Sequence, residues 1–219
     1  MNKIERVAGA LFLVATGSFL IGSGLLDPIL HRSDFLASLY PDRTNVVAGV
    51  FLELINAMAV VGIAMLLYPI LKKHNEAFAW GYVSSRIIES VLLIVSLIGP
   101  LVLITLSENY IAAGASGGSY FQTIANLVVE AHFKLFEMAM IVLSLGSLLF
   151  CYILYRSKWV PRFMSVIGFI GYAALLASSC LAIAGQDMGP VLYIPGAIFE
   201  IILPIWLMVK GFNLRMEES

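Results

Sequence analysis

Charge is what this chain has least of. Of its 219 residues, 12% are Asp, Glu, Lys or Arg and 60% are hydrophobic, whereas a soluble domain averages about 25% charged and about 45–50% apolar. An ordinary water-soluble globule is excluded. The formal net charge of −1 offers no basic field to a nucleic acid, so none is expected as a partner. Cysteine is nearly absent as well: Cys151 and Cys180 provide no disulfide framework. Histidine is confined to His31, His74 and His132, with no His-x-x-x-His or Glu-x-x-His spacing, and neither a metal site nor a cofactor is expected. No polar stretch is long enough to fold as a separate soluble domain.

What the chain has instead is apolar runs. They cover residues 7–26, 46–71, 78–106, 127–155, 163–184 and 191–209, each near or above the roughly 20 residues that a spanning helix needs. They are continuous rather than alternating, which argues for helices and against the strands of a barrel. The reading is an all-α, polytopic bundle of six transmembrane helices forming one domain over 1–219. The first run follows Lys3 and Arg6 as a signal peptide would, but it is long and no Ala-x-Ala site immediately precedes Asp27, so it is read as a retained helix.

The linkers sort by charge. One side holds Lys3, Arg6, Lys72, Lys73, Arg156, Lys158, Arg162, Lys210 and Arg215; the other holds Arg32 and Arg43 among acidic residues. The positive-inside rule then puts both termini in the cytoplasm of a plasma-membrane protein, consistent with six spans. The outer loop at 29–40 is expected to hold a short surface helix. Ser119 to Gln122 matches a capping box that would open the fourth helix. A helix over 120–155 would be about 54 Å long and outreach the membrane.

Within the runs lie a few ionisable residues, and charge at membrane depth is costly and usually faces a protein interior or a wet cavity. Counted from the basic ends, Arg86 lies roughly 12 Å deep, Glu89 roughly 16 Å and Glu200 roughly 15 Å, all near one layer. Arg86 and Glu89 are three apart and share a helix face, with Tyr82 and Ser96 extending the polar stripe. Two prolines sharpen the picture. Pro204 cannot donate to the carbonyl of Glu200, nor Pro100 to that of Ser96, and freed acceptors in a membrane must find neighbouring groups, water or a ligand. Further out lie Glu53, with Asn56 one turn below, and Glu137 on a stripe with Glu130 and Lys134. Leu52-Glu53 and Phe136-Glu137 begin runs of matched length ending in Lys72 and Arg156, so that three related hairpins are one reading of the chain.

Several segments carry a resemblance. They are Tyr68 to Glu76, Ala79 to Glu89, Pro161 to Gly168, Ile194 to Glu200 and Trp206 to Phe212, in order along nearly the whole chain. Together they resemble the bacterial membrane family catalogued as domain of unknown function 4386. The resemblance implies a six-helix bacterial membrane protein and supplies no activity, substrate or catalytic residue.

The expected function is binding or transport of a small amphipathic or anionic molecule in a polar cleft between the third and sixth spans, also touched by the second. Arg86 would hold the anion, with Glu89 and Glu200 as its resting counter-charges. The candidate polar core is Arg86, Glu89, Glu200, Ser96, Tyr82, Glu53, Asn56 and Glu137. The expected partners are the lipid bilayer and a small-molecule or lipid ligand; oligomeric state is left open. An intramembrane enzyme using buried carboxyl groups and a regulatory or structural subunit remain as alternatives.

Overall fold

The structure is a computed structural model that describes residues 3–114, 118–186 and 189–213. Every long apolar run forms a helix: α1 (Lys3–Leu30), α3 (Arg43–His74), α4 (Glu76–Ser96) continued by α5 (Ile98–Ala113), α6 (Gly118–Ser157), α7 (Arg162–Ile183) and α8 (Ile194–Val209), with a four-residue α2 (Phe35–Ser38) between the first two. A 3₁₀ turn over Pro190–Tyr193 leads into α8. No strand occurs among the described residues. Six helical segments are long and apolar enough to cross a membrane, counting α4 and α5 together. Residues such as Leu20, Phe51, Met58, Met65 and Ile170 point outward and exposed, as lipid-facing side chains do.

The helices close into a ring. α1 packs on α3, α3 on α4, α4 on α6, α6 on α7, α7 on α8, and α8 back on α1. Only Asn75 separates α3 from α4, and its side chain accepts the Phe78 N–H at 3.0 Å, a helix N-cap that makes the reversal sharp. Glycines allow the close contacts. A Cβ on Gly171 would sit 2.5 Å from the Gly196 amide nitrogen, and one on Gly9 would sit 2.8 Å from the Pro204 carbonyl oxygen. A Cβ on Gly146 would collide with the Ser85 hydroxyl. Small residues at such crossings are how membrane helices gain dispersion contact without a hydrophobic drive between them.

The end of the bundle away from the basic linkers departs from the sequence expectations. The loop at 29–40 does hold a short helix, α2, but that helix is packed into the bundle rather than laid on its surface. α1 runs on to Leu30, and Phe35, Leu36 and Leu39 are buried in a second apolar cluster with Leu26, Val50, Leu97 and Leu103. The Ser107 hydroxyl donates to the Leu36 carbonyl at 2.6 Å and accepts the Tyr40 N–H at 2.9 Å. The capping box is not made either. Ser119 already lies inside α6, its carbonyl accepts the Thr123 hydroxyl, and Gln122 reaches forward to Asn126 at 3.1 Å. With 40 residues α6 is about 60 Å long, so its first turns do outreach a bilayer core.

Candidate functional site

The i, i+3 spacing of Arg86 and Glu89 on α4 forms the ion pair that it suggests. Arg86 Nη1 lies 3.0 Å from Glu89 Oε2 and 3.2 Å from Oε1, and both side chains are buried. From α6, Ser147 accepts a hydrogen bond from Arg86 Nη2 at 3.2 Å. The guanidinium also stands 5.3 Å from the ring centroid of Tyr82, one turn below, within cation–π range. The close passage of α4 over Gly146 brings Ser147 within reach.

Glu200 is held differently. Gly171 and Gly196 let α7 and α8 touch backbone to backbone. One residue after that contact on α7, and one turn after it on α8, the Tyr172 hydroxyl donates to Glu200 Oε1 at 3.0 Å. Tyr172 is itself buried, while Glu200 is half-buried. Arg86 thus bonds Glu89 directly, and among the described residues no hydrogen bond or ion pair joins it to Glu200.

These groups line a cavity of about 220 Å³ at the centre of the ring. The sequence pointed to a cleft among the second, third and sixth spans, and the ring makes it wider than that. Walls come from all six spans: Phe12 and Phe19 of α1, Asn56 and Val60 of α3, Arg86 and Glu89 of α4, Met140 of α6, Tyr172 of α7, and Ala197 and Glu200 of α8. Phe19 and Phe136 stack across it, 5.8 Å between centroids and 5° from parallel. Among the described residues lining it there is no serine or cysteine.

The cavity therefore gathers Arg86, Glu89, Glu200 and Asn56, with Tyr82 supporting Arg86 from behind. It does not gather the rest. Pro100 does free the Ser96 carbonyl, but His132 on α6 takes it up, its Nδ1 2.8 Å away, and Gly99 makes room because a Cβ there would lie 3.2 Å from the His132 Cβ. Ser96 itself is buried with its hydroxyl on the Leu93 carbonyl. Glu53 is wedged between α1 and α3, where a Cβ on Gly22 would come 2.9 Å from its Cγ. Glu137 stands at the outer rim and accepts the Tyr193 hydroxyl at 3.2 Å. Lys134 leaves the acidic stripe and donates to the carbonyls of Ala182 and Ile183, each at 3.2 Å, which satisfies the end of α7.

Ser147, Tyr172 and Tyr193 are the participants that sequence reasoning passed over, and His132 was weighed there only as a metal ligand. Two were within reach of the same counting: Ser147 stands nine residues before Arg156 and Tyr172 ten after Arg162, so each lies roughly 14–15 Å from the basic end, in the layer of Arg86, Glu89 and Glu200. A tyrosine or serine there needs a hydrogen-bond partner as surely as a charge does.

The chain belongs to the family described as domain of unknown function (DUF4386), whose model matches residues 7–211. A search of curated proteins and a search of solved structures each find no match.

Proposed function

We propose that this membrane protein binds a small amphipathic molecule that enters the central cavity sideways, between α1 and α8, and sets its polar end against Glu200. The observation that carries the reading is where the cavity's lining is exposed. On α4 and α7 the lining residues are all buried; on α1 and α8, Leu20, Ala197 and Ile201 are exposed and Thr16 and Glu200 half-buried. The two helices touch near the basic end at Gly9 and Pro204, so the seam is closed there and open above. A ligand arriving through it comes from the bilayer and must carry apolar surface.

The polar end follows from the charge count. Arg86 already has its charge met by Glu89 at 3.0 Å and gives Nη2 to Ser147, with only its Nε–H lacking a hydrogen-bond partner among the described residues; an anion there would set a third carboxylate-like charge beside Glu89 and Glu200, and like charges at close range oppose one another. Among the described residues Glu200 has one hydrogen-bond partner, the Tyr172 phenol. The group that best complements it is a cation or a hydrogen-bond donor, an amine or a hydroxyl, rather than the anion that Arg86 alone would suggest. Size adds a bound: a 150 Å³ protein cavity holds benzene, so about 220 Å³ admits roughly nine non-hydrogen atoms.

Octylamine, octanol and octanoate are matched probes of that size. Added to the full chain in lipid nanodiscs, the amine should raise the melting temperature most and the carboxylate least, because a ligand of the folded state stabilises by mass action. Glu200→Gln should remove the preference for the amine. A preference for octanoate would reverse the assigned polarity, and indifference to all three would discard the binding reading.

A further inference from the structure

A second hollow lies on the outside of the ring, at its basic end, and owes nothing to the central cavity. It is a groove of about 290 Å³ between the end of α6 and the start of α7, lined by Tyr152, Tyr155, Ser165, Val166, Phe169 and Ile170. Its walls are apolar apart from the ring hydroxyls and Ser165. The serine, like Ser179 on the same helix, departs from the habit of most helical serines in this protein. Ser18, Ser85, Ser96 and Ser144 each hydrogen-bond to a carbonyl three or four residues back, the common resting state of a serine in an apolar helix. Ser165 does not: it is 1% exposed and its hydroxyl has no hydrogen-bond partner among the described residues.

Above the groove stand Arg156, Lys158 and Arg162, all exposed, and no acidic residue occurs anywhere in 151–170. The Arg162 guanidinium is laid over Tyr155, 5.3 Å from the ring centroid, which holds it at the groove's mouth. Lys158, just after α6 ends, has φ of 57°, a conformation usually left to glycine; here the strained position carries an ammonium group.

We propose that this groove is a binding site for one acidic phospholipid of the adjoining leaflet. The layout matches such a molecule from top to bottom. Arg156, Lys158 and Arg162 meet the phosphate and its net negative charge. Ser165, three residues below Arg162 and so roughly 4.5 Å deeper, meets an ester carbonyl, which a hydroxyl donor requires. Tyr152, Val166, Phe169 and Ile170 then line the path of an acyl chain. A free phosphate leaves the serine and the apolar wall unexplained, and a zwitterionic lipid lacks the net charge that three cations with no acidic residue in 151–170 favour.

The test uses the full chain, delipidated in a neutral detergent, with phosphatidylglycerol, phosphatidylcholine and inorganic phosphate as separate probes. Native mass spectrometry should show one retained phosphatidylglycerol, accompanied by a higher melting temperature, and neither effect with the other two. Arg162→Gln and Lys158→Gln should each weaken retention about fivefold. Ser165→Ala should also weaken it while leaving the lipid-free melting temperature unchanged or raised, because deleting an unpaired buried hydroxyl removes a penalty rather than a bond. Equal retention of phosphatidylcholine, equal stabilisation by inorganic phosphate, or phosphatidylglycerol retention indifferent to both Arg162→Gln and Ser165→Ala would each overturn the site.

Discussion

Arg86 owes its place at mid-membrane to one bonded carboxylate, and removing either member leaves the other charged and buried. Arg86→Leu should therefore destabilise by about 3–5 kcal/mol, and Arg86→Leu with Glu89→Leu should recover much of that. Unfolding of Arg86→Leu, Glu89→Leu and the double variant in detergent, followed by helix content, measures the coupling; strictly additive losses would mean that the 3.0 Å contact contributes nothing. The single charges were legible in the sequence because depth can be counted along a helix. Their uncharged partners were not, because whether Tyr172 meets Glu200 depends on how far α7 is rotated about its axis against α8. A rotation of one residue, about 100°, would turn the phenol toward lipid.

Helices meet where their side chains are smallest, so the same substitution should act with opposite sign at different glycines. Gly171→Ala drives a methyl into the Gly196 backbone, which has no flexible end to move, and should cost about 1–3 kcal/mol with loss of the Tyr172–Glu200 bond. Gly17→Ala meets nothing within 4 Å and should stabilise by about 0.5–1 kcal/mol through helix propensity. Melting temperatures of the pair decide the matter. The break between α4 and α5 makes a second case. His132→Phe deprives the Ser96 carbonyl of its donor and should cost about 1–3 kcal/mol. Adding Pro100→Ala supplies a backbone N–H to that carbonyl and should recover part of the loss; a double variant no better than the single would disprove the substitution of one donor for another. Sequence alone locates Pro100 and the acceptor it frees. Whether a side chain, water or ligand takes that acceptor up is a matter of which helix passes by, and α6 brings His132 rather than the cavity.

As a whole the molecule is a ring of six spans with its seam between the first and the last. An even number of crossings puts both ends of the chain on one side. Reporter fusions after residues 75 and 219 should therefore read cytoplasmic and a fusion after residue 35 external, the orientation expected from the basic linkers; an external carboxyl end would overturn it. The sequence by itself determined the class of the protein and the number and order of its helices, because these follow from hydropathy and length summed over local stretches; the side on which its ends lie is what the linker charges predict. It also determined that Arg86, Glu89 and Glu200 share a layer, because rise along a helix is fixed. Only the tertiary structure decided that Ser96, Glu53 and Glu137 stand apart from that layer's cavity, that Tyr172 bonds Glu200 in its wall, and that Ser147 bonds Arg86 from α6. Those facts depend on the rotation and contact partner of each helix. In a bilayer these are set by a few close glycine crossings and hydrogen bonds rather than by any apolar pattern, since lipid is as acceptable a neighbour to leucine as another helix is.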